Sequence, residues 1–145
     1  MKNKGFTLIE LLIVVAIISI LGMVAYPSYR ESVVRGNRVA VQGDLEAAAA
    51  AMANYRAQNF TYNGAVMTTV FRNRSPAAGT QQYELVFATG GTNTTPAAFT
   101  IIARPVSGGA QVGNGALAIN HQGQRCWDKG SDATCTPGAA GQEWK

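Results

Sequence analysis

The chain contains few side chains that could carry out chemistry. It has one histidine, His121, and two cysteines, Cys126 and Cys135, and it lacks the motifs of serine hydrolases and phosphate-binding loops. A zinc site would need more Cys or His ligands. A calcium site needs about six oxygen ligands, more than Asp128 and Asp132 would supply. We therefore predict no catalytic residue, no metal site and no cofactor.

One carboxylate stands in an unusual place. Glu10 interrupts an otherwise apolar run of 21 residues from Phe6 to Tyr26. As a helix the run would be about 31 Å long, which matches the hydrocarbon core of a bilayer. A carboxylate near the centre of such a helix costs roughly 2.5–3.5 kcal/mol. A segment that served only as an anchor would not carry this cost, so we predict a function for Glu10.

Three interpretations of this segment compete. A secretory signal peptide has a basic start and an apolar core, and Met23-Val24-Ala25 resembles a weak cleavage site. The length of the run and Glu10 argue against it. A plain single-pass anchor would keep Lys2 and Lys4 in the cytoplasm and the C-terminal part outside. That topology is sound, but it leaves Glu10 unexplained.

The third interpretation accounts for every residue. Lys4-Gly5-Phe6-Thr7-Leu8-Ile9-Glu10, followed by the apolar stretch, resembles the class III leader of type IV prepilins. The resemblance implies that a membrane-embedded prepilin peptidase cuts between Gly5 and Phe6 and then N-methylates Phe6. It divides the chain into a leader (1–5), a transmembrane and filament-core half of a helix (6–26) and a periplasmic globular pilin domain (27–145).

Cleavage would place a positive α-amino group on Phe6, one helical turn from Glu10. In the family this glutamate is thought to meet the amine of a neighbouring subunit, which gives Glu10 a role in filament assembly. The alternative is local, because Thr7-Leu8-Ile9-Glu10 also fits a capping box. Pro27 should kink or interrupt the helix, and Gly22 is a second weak point. In the same family the helix melts locally between such positions in filaments, which implies local melting from Gly22 to Pro27. A simple kink at Pro27, which lacks an N–H, is the alternative.

The rest of the chain predicts an α+β fold, one long helix followed by a small antiparallel sheet, and this order resembles the pilin fold. The helix should span about residues 6–58, because apolar residues follow a helical period from Val34 to Tyr55. Residues 65–80 should form an irregular connection. Strands are predicted at 83–88, 98–104, 117–120 and 125–127. Cys126 and Cys135 should form a disulfide in an exported chain, closing a C-terminal loop like that of pilins.

Charge alone does not indicate a nucleic-acid partner. Without Lys2 and Lys4, ten basic side chains face eight acidic ones. The best basic and aromatic cluster is Phe71-Arg72-Asn73-Arg74, for which a short solvated cluster is the simpler interpretation.

These features predict a structural subunit of a type IV pilus. The segment 120–127 resembles the PilE-like minor pilins, which are thought to aid pilus assembly. The expected partners are other pilin subunits, the prepilin peptidase, the assembly machinery and, before assembly, the inner membrane. The chain would cross that membrane once with a cytoplasmic N-terminus and then enter an extracellular filament. Two alternatives are a type II secretion pseudopilin and a pilus-borne binding module for DNA or surfaces.

Overall fold

The fold is that of a computed structural model, which describes residues 6–144. The chain divides after Arg35 into two compact units. Helix α1 (Leu8–Asn59) begins in the first unit and ends in the second. The helix that was predicted at about 6–58 is therefore confirmed.

The first unit is a helical segment whose apolar side chains face outward. Large hydrophobic residues from Leu8 to Met23 are 47–77% exposed. This part of α1 is long and apolar enough to cross a membrane, by length and composition. Gly22 and Pro27 both lie inside the helix. The kink or local melting between Gly22 and Pro27 stays a prediction.

The start of α1 carries the capping box that the sequence left open as an alternative. Glu10 Oε2 accepts hydrogen bonds from the Thr7 backbone N–H and from Thr7 Oγ1, both at 3.2 Å. The Glu10 N–H donates in return to Thr7 Oγ1 at 3.3 Å. Glu10 thus satisfies donors at its own helix end, where a carboxylate also complements the helix dipole.

The second unit packs the C-terminal part of α1 against one face of an antiparallel sheet. A short helix, α2 (Met67–Val70), precedes the strands. The sheet has the order β1-β2-β3-β4-β5, and every neighbouring pair is antiparallel. The strands are β1 (Arg74–Ser75), β2 (Tyr83–Phe87), β3 (Thr100–Pro105), β4 (Ala116–Asn120) and β5 (Arg125–Asp128).

The main core lies between the sheet and the predicted apolar stripe of α1. Val41, Leu45, Ala48 and Met52 follow one another at spacings of three or four residues and are fully buried. They meet alternate strand residues, which point to the same face of a sheet: Tyr83, Leu85, Phe87, Ile101, Ala103, Leu117 and Ile119. The apolar stripe of α1 and the strand residues that face it thus pack into one hydrophobic layer.

A second, smaller cluster covers the opposite face of the sheet. Val86, Ile102, Ala118 and Cys126 are successive partners across β2, β3, β4 and β5. Cys126 forms the predicted disulfide with Cys135, which is also buried in this cluster. The loop between the two cysteines folds back over this face, where the Ala133 carbonyl accepts from Arg104 Nε at 2.7 Å. We call this face the outer face.

The four predicted strands are confirmed as β2 to β5, with ends shifted by one or two residues. The prediction of an irregular connection over 65–80 was wrong in part, because α2 and β1 lie there. Both elements are too short for a hydrophobic period to be visible. β1 is fixed by its partners, since Arg74 pairs with Glu84 and Ser75 with Tyr83.

Candidate nucleic-acid interface

The basic and aromatic cluster that the sequence singled out is held by contacts within the chain. The Arg72 guanidinium lies 4.4 Å from the Phe71 ring centroid and forms an ion pair with Asp44 on α1. Arg74 donates from Nη2 to the Gly79 carbonyl at 2.6 Å. This cluster is therefore not simply solvated, and the charge of Arg72 is already balanced by a carboxylate.

A different surface brings together three connections at one end of the second unit. The β2–β3 loop and the β4–β5 turn lie at the same end of the sheet, because Phe87 pairs with Ile101 and Thr100 with Asn120. The connection that follows α1 reaches this end as well, since the Tyr62 and Phe99 rings meet edge to face at 5.0 Å. We call residues 56–64, 88–99 and 120–125 the loop-end surface.

Hydrogen bonds fix the backbone of this surface. The amide of Asn93 is buried and donates to the carbonyls of Tyr62, Thr95 and Ala98 at 2.8–3.1 Å. The Tyr62 N–H donates to the Pro96 carbonyl at 2.9 Å. These bonds join the connection after α1 to the β2–β3 loop, so the exposed side chains project from a fixed frame.

The charge of the loop-end surface has one sign. Its three segments contain no Asp or Glu, and their two arginines are Arg56 and Arg125. Arg56 lies in the last turn of α1, where a cation complements the helix dipole, and its guanidinium is 4.9 Å from the Tyr62 ring centroid. Arg125 is half exposed and pairs with Glu46 of α1 at 2.7 Å, outside the surface as defined.

Exposed amides accompany these cations. Asn59, Asn63, Gln122 and Gln124 are exposed on the loop-end surface. The β4–β5 turn is ordered by Asn120, whose Oδ1 accepts from the N–H groups of Gln122 and Gln124 at 3.0 Å. Arginine binds phosphates, and side-chain amides pair with base edges, so this composition suits DNA.

The other end of the sheet is occupied by a buried polar network. Tyr83 Oη donates to Gln111 Oε1 at 2.9 Å and accepts from Asn114 Nδ2 at 3.2 Å. Burial raises the pKa of Tyr83, and the hydrogen bond with Asn114 lowers it in part. Arg38 of α1 donates to Asn114 Oδ1 at 3.2 Å and lies 4.1 Å from the Trp127 ring centroid. These contacts join α1 to the sheet.

The two aspartates of the disulfide loop hold backbone groups. Asp132 accepts from the N–H groups of Gly113 and Gly115 at 2.7 and 2.9 Å, and Asp128 accepts from Gly130 N–H at 2.9 Å. Within residues 6–144 no group of three or more His, Cys, Asp or Glu side chains is placed to hold a metal ion. The carboxylates of this loop therefore order its turns.

The remaining predicted site residues belong to the N-terminal segment. Phe6 is 83% exposed, and Glu10 forms the capping box with Thr7 that is described above. Gly5, on the other side of the predicted cleavage site, lies outside the described residues. Cleavage, methylation and the role of Glu10 in assembly stay predictions.

Two family models together match residues 1 to 117. Residues 1–26 match the prokaryotic N-terminal methylation motif. Residues 27–117 match the family described as type IV minor pilin ComP, DNA uptake sequence receptor. The chain belongs to this minor pilin family. The family is one of structural filament proteins, so this minor pilin is not an enzyme.

Curated relatives share shorter stretches with this minor pilin. The type IV major alpha-pilin of Moraxella bovis is 49% identical over 45 residues, which is 31% of this chain and 28% of the relative. The type II secretion system core protein G of Pseudomonas aeruginosa is 36% identical over 61 residues, or 42% and 43% of the two chains. The minor pilin thus spans less than half the length of the curated relatives it matches.

Proposed function

We propose that this minor pilin is a DNA-binding subunit of a type IV pilus and that it recognises DNA uptake sequences. The observation that carries the proposal is the family match over residues 27–117, because that family is described as a DNA uptake sequence receptor. The DNA-binding alternative from the sequence is thus better supported than a role in assembly alone.

The loop-end surface is our candidate for the DNA contact. Arg56 and Arg125 are exposed cations on a surface whose segments carry no carboxylate, and exposed amides lie beside them. Phosphate contacts position a protein on DNA, and amides can distinguish base edges. Arg72 suits this role less well, because its side chain and that of its partner Asp44 are only 38% and 16% exposed, whereas both side chains of the Arg125–Glu46 pair are 50% exposed.

Assembly would follow from the N-terminal segment. Prepilin peptidase would cut between Gly5 and Phe6 and methylate Phe6, after which the apolar part of α1 would wait in the inner membrane with its N-terminus on the cytoplasmic side. The assembly machinery would then transfer it into a bundle of other pilin helices in an extracellular filament. Glu10 would pair with the α-amine of a neighbouring subunit, and the segment between Gly22 and Pro27 would bend.

A secretion pseudopilin is the second candidate, because core protein G of a type II secretion system is among the relatives. The two functions make different predictions for DNA. A pilus-borne receptor should retain duplexes selectively, whereas a pseudopilin has no need to do so.

The test mixes the full chain in detergent micelles with a pool of duplexes of random sequence. The duplexes that the protein retains are recovered over repeated rounds and sequenced. We expect one recurring sequence to be enriched. Fluorescence anisotropy with the selected duplex should then show salt-dependent binding. The double variant Arg56→Gln/Arg125→Gln should bind DNA more weakly. Its plot of log affinity against log salt concentration should also be less steep, by about 0.9 for each lost phosphate contact.

The pair Arg72→Gln and Arg74→Gln is the matched control, since it removes the same charge elsewhere. Equal losses from both pairs would indicate a response to net charge and would argue against the loop-end surface. A chain that retains no duplex at low salt would overturn the DNA-binding function itself.

A further inference from the structure

The loop-end surface contains an aromatic residue with an unusual backbone conformation. Phe60 directly follows α1 and has a φ of +59°, the left-handed region that non-glycine residues rarely adopt. It is the most exposed of the large hydrophobic residues in the described part of the chain, at 90%. Both features disfavour a phenylalanine at this position.

Ending the helix does not require this side chain. The Phe60 N–H donates to the Arg56 carbonyl at 2.7 Å, which is the bond of a left-handed helix cap. Glycine usually occupies such a cap, because it lacks the Cβ that crowds the backbone. The ring therefore has a use other than closing α1, and strained backbone of this kind concentrates at functional sites.

The surroundings of Phe60 favour one class of partner. Arg56 lies one turn before it, and the exposed amides of Asn59 and Asn63 stand on either side along the chain. Thr61 Oγ1 donates to the Pro96 carbonyl at 3.3 Å, so the residue that follows the ring is fixed to the β2–β3 loop. A cation, amides and a projecting apolar ring are the groups that proteins insert into the minor groove of DNA.

We propose that Phe60 acts as a wedge that enters the base stack of bound duplex DNA from the minor groove and bends the duplex. The proposal rests on the DNA-binding function above and specifies its mode. Arg56 contacts the adjacent phosphates, and Asn59 and Asn63 follow the groove on both sides of the inserted ring. Sequences that unstack at low cost are then preferred, which adds selectivity at base pairs that no side chain reads.

The experiment measures DNA shape as well as affinity. The full chain in detergent micelles is mixed with a short duplex that carries a donor and an acceptor dye at its ends and 2-aminopurine at successive positions. We expect the wild-type chain to shorten the distance between the ends and to raise 2-aminopurine fluorescence at one step. Phe60→Ala should abolish both signals and weaken binding by about tenfold, a typical cost of losing one base–aromatic contact.

Two further variants separate the wedge from effects on folding. Phe60→Gly removes the ring while relieving the strained backbone, so its thermal stability should equal or exceed that of the wild type although the bend is lost. Phe60→Leu keeps an apolar wedge and should keep most of the bend. Val112→Ala is the matched control, because Val112 is 55% exposed in the β3–β4 loop at the other end of the sheet.

The outcomes are distinguishable. If the wild-type chain binds DNA and Phe60→Gly bends it equally, the wedge is wrong and the DNA-binding function stands. If Phe60→Gly leaves the bend unchanged but abolishes self-association of the chain, the ring belongs to a contact between subunits and the wedge is overturned. If the wild-type chain retains no duplex, the proposed function fails and the wedge fails with it.

Discussion

The ion pair between Glu46 and Arg125 leads to a prediction in which stability and DNA binding change in opposite directions. Glu46 Oε1 lies 2.7 Å from Arg125 Nη2, and both side chains are 50% exposed. Exposed pairs of this kind stabilise a protein by only about 0.2–1 kcal/mol. Glu46→Gln should therefore lower the melting temperature by a few degrees at most.

The effect on DNA should be larger. While Glu46 is present, a phosphate that approaches Arg125 meets a carboxylate beside the guanidinium. Two like charges about 4 Å apart in water repel by about 1 kcal/mol, which corresponds to a factor of about five in affinity. Glu46→Gln should thus tighten DNA binding about fivefold at low salt, and the gain should shrink as salt screens the charges.

The assay is fluorescence anisotropy of a labelled duplex with the full chain at two salt concentrations, combined with thermal unfolding of the same samples. Glu84→Gln is the matched control, because it changes net charge equally at an exposed position on the outer face, paired with Arg74 and Arg104 in the sheet. If Glu46→Gln and Glu84→Gln tighten binding to the same extent, or if neither does, Arg125 is not a phosphate contact.

Three further predictions concern the fold and assembly. Leu45→Ala should lower the free energy of unfolding by about 2–5 kcal/mol in chemical denaturation, because Leu45 is fully buried between α1 and the sheet. Tyr83→Phe should cost about 1 kcal/mol near neutral pH through the lost hydrogen bonds. Since the folded state raises the pKa of Tyr83 above 10.0, the unfolded chain loses the proton first, so wild-type stability should fall above about pH 10 and fall less in Tyr83→Phe. Glu10→Gln should reduce incorporation into filaments in a pull-down of sheared pili, and incorporation at the wild-type level would contradict a charge-based role for Glu10.

Much of this fold could be predicted because hydrophobic residues recur at regular intervals along its helix and strands. The spacing of Val41, Leu45, Ala48 and Met52 indicates a buried helix face, and β3 contains the strongest β-forming run. β1 was missed because it has only two residues, too few to show an alternation of apolar and polar side chains. Its position is set by its pairing with β2 across the sheet. Such contacts are not visible in local sequence.

The candidate site was harder to predict for a related reason. The sequence draws attention to Arg72 and Arg74, which are close together along the chain, but Asp44 reaches Arg72 from 28 residues away. Arg56 and Arg125 come together only when α1 and the β4–β5 turn reach the same end of the sheet. The left-handed conformation of Phe60 has no sequence signal, because glycine or asparagine normally indicates it. An exposed aromatic residue directly after a long amphipathic helix was the one feature that could have been noticed.

The loop closed by Cys126 and Cys135 covers part of the outer face of the sheet. Its two cysteines pack with Ile102 and Ala118 on the outer face, while Trp127, at the start of the loop, packs against the main core on the other side of the sheet. Replacement of the exposed Lys129 or Thr134 would change the chemistry of this surface without disturbing the packing of α1. The two cysteines, Ser131 and Asp132 order the backbone of the loop, so its exposed side chains can vary while the packing of α1 against the sheet is kept.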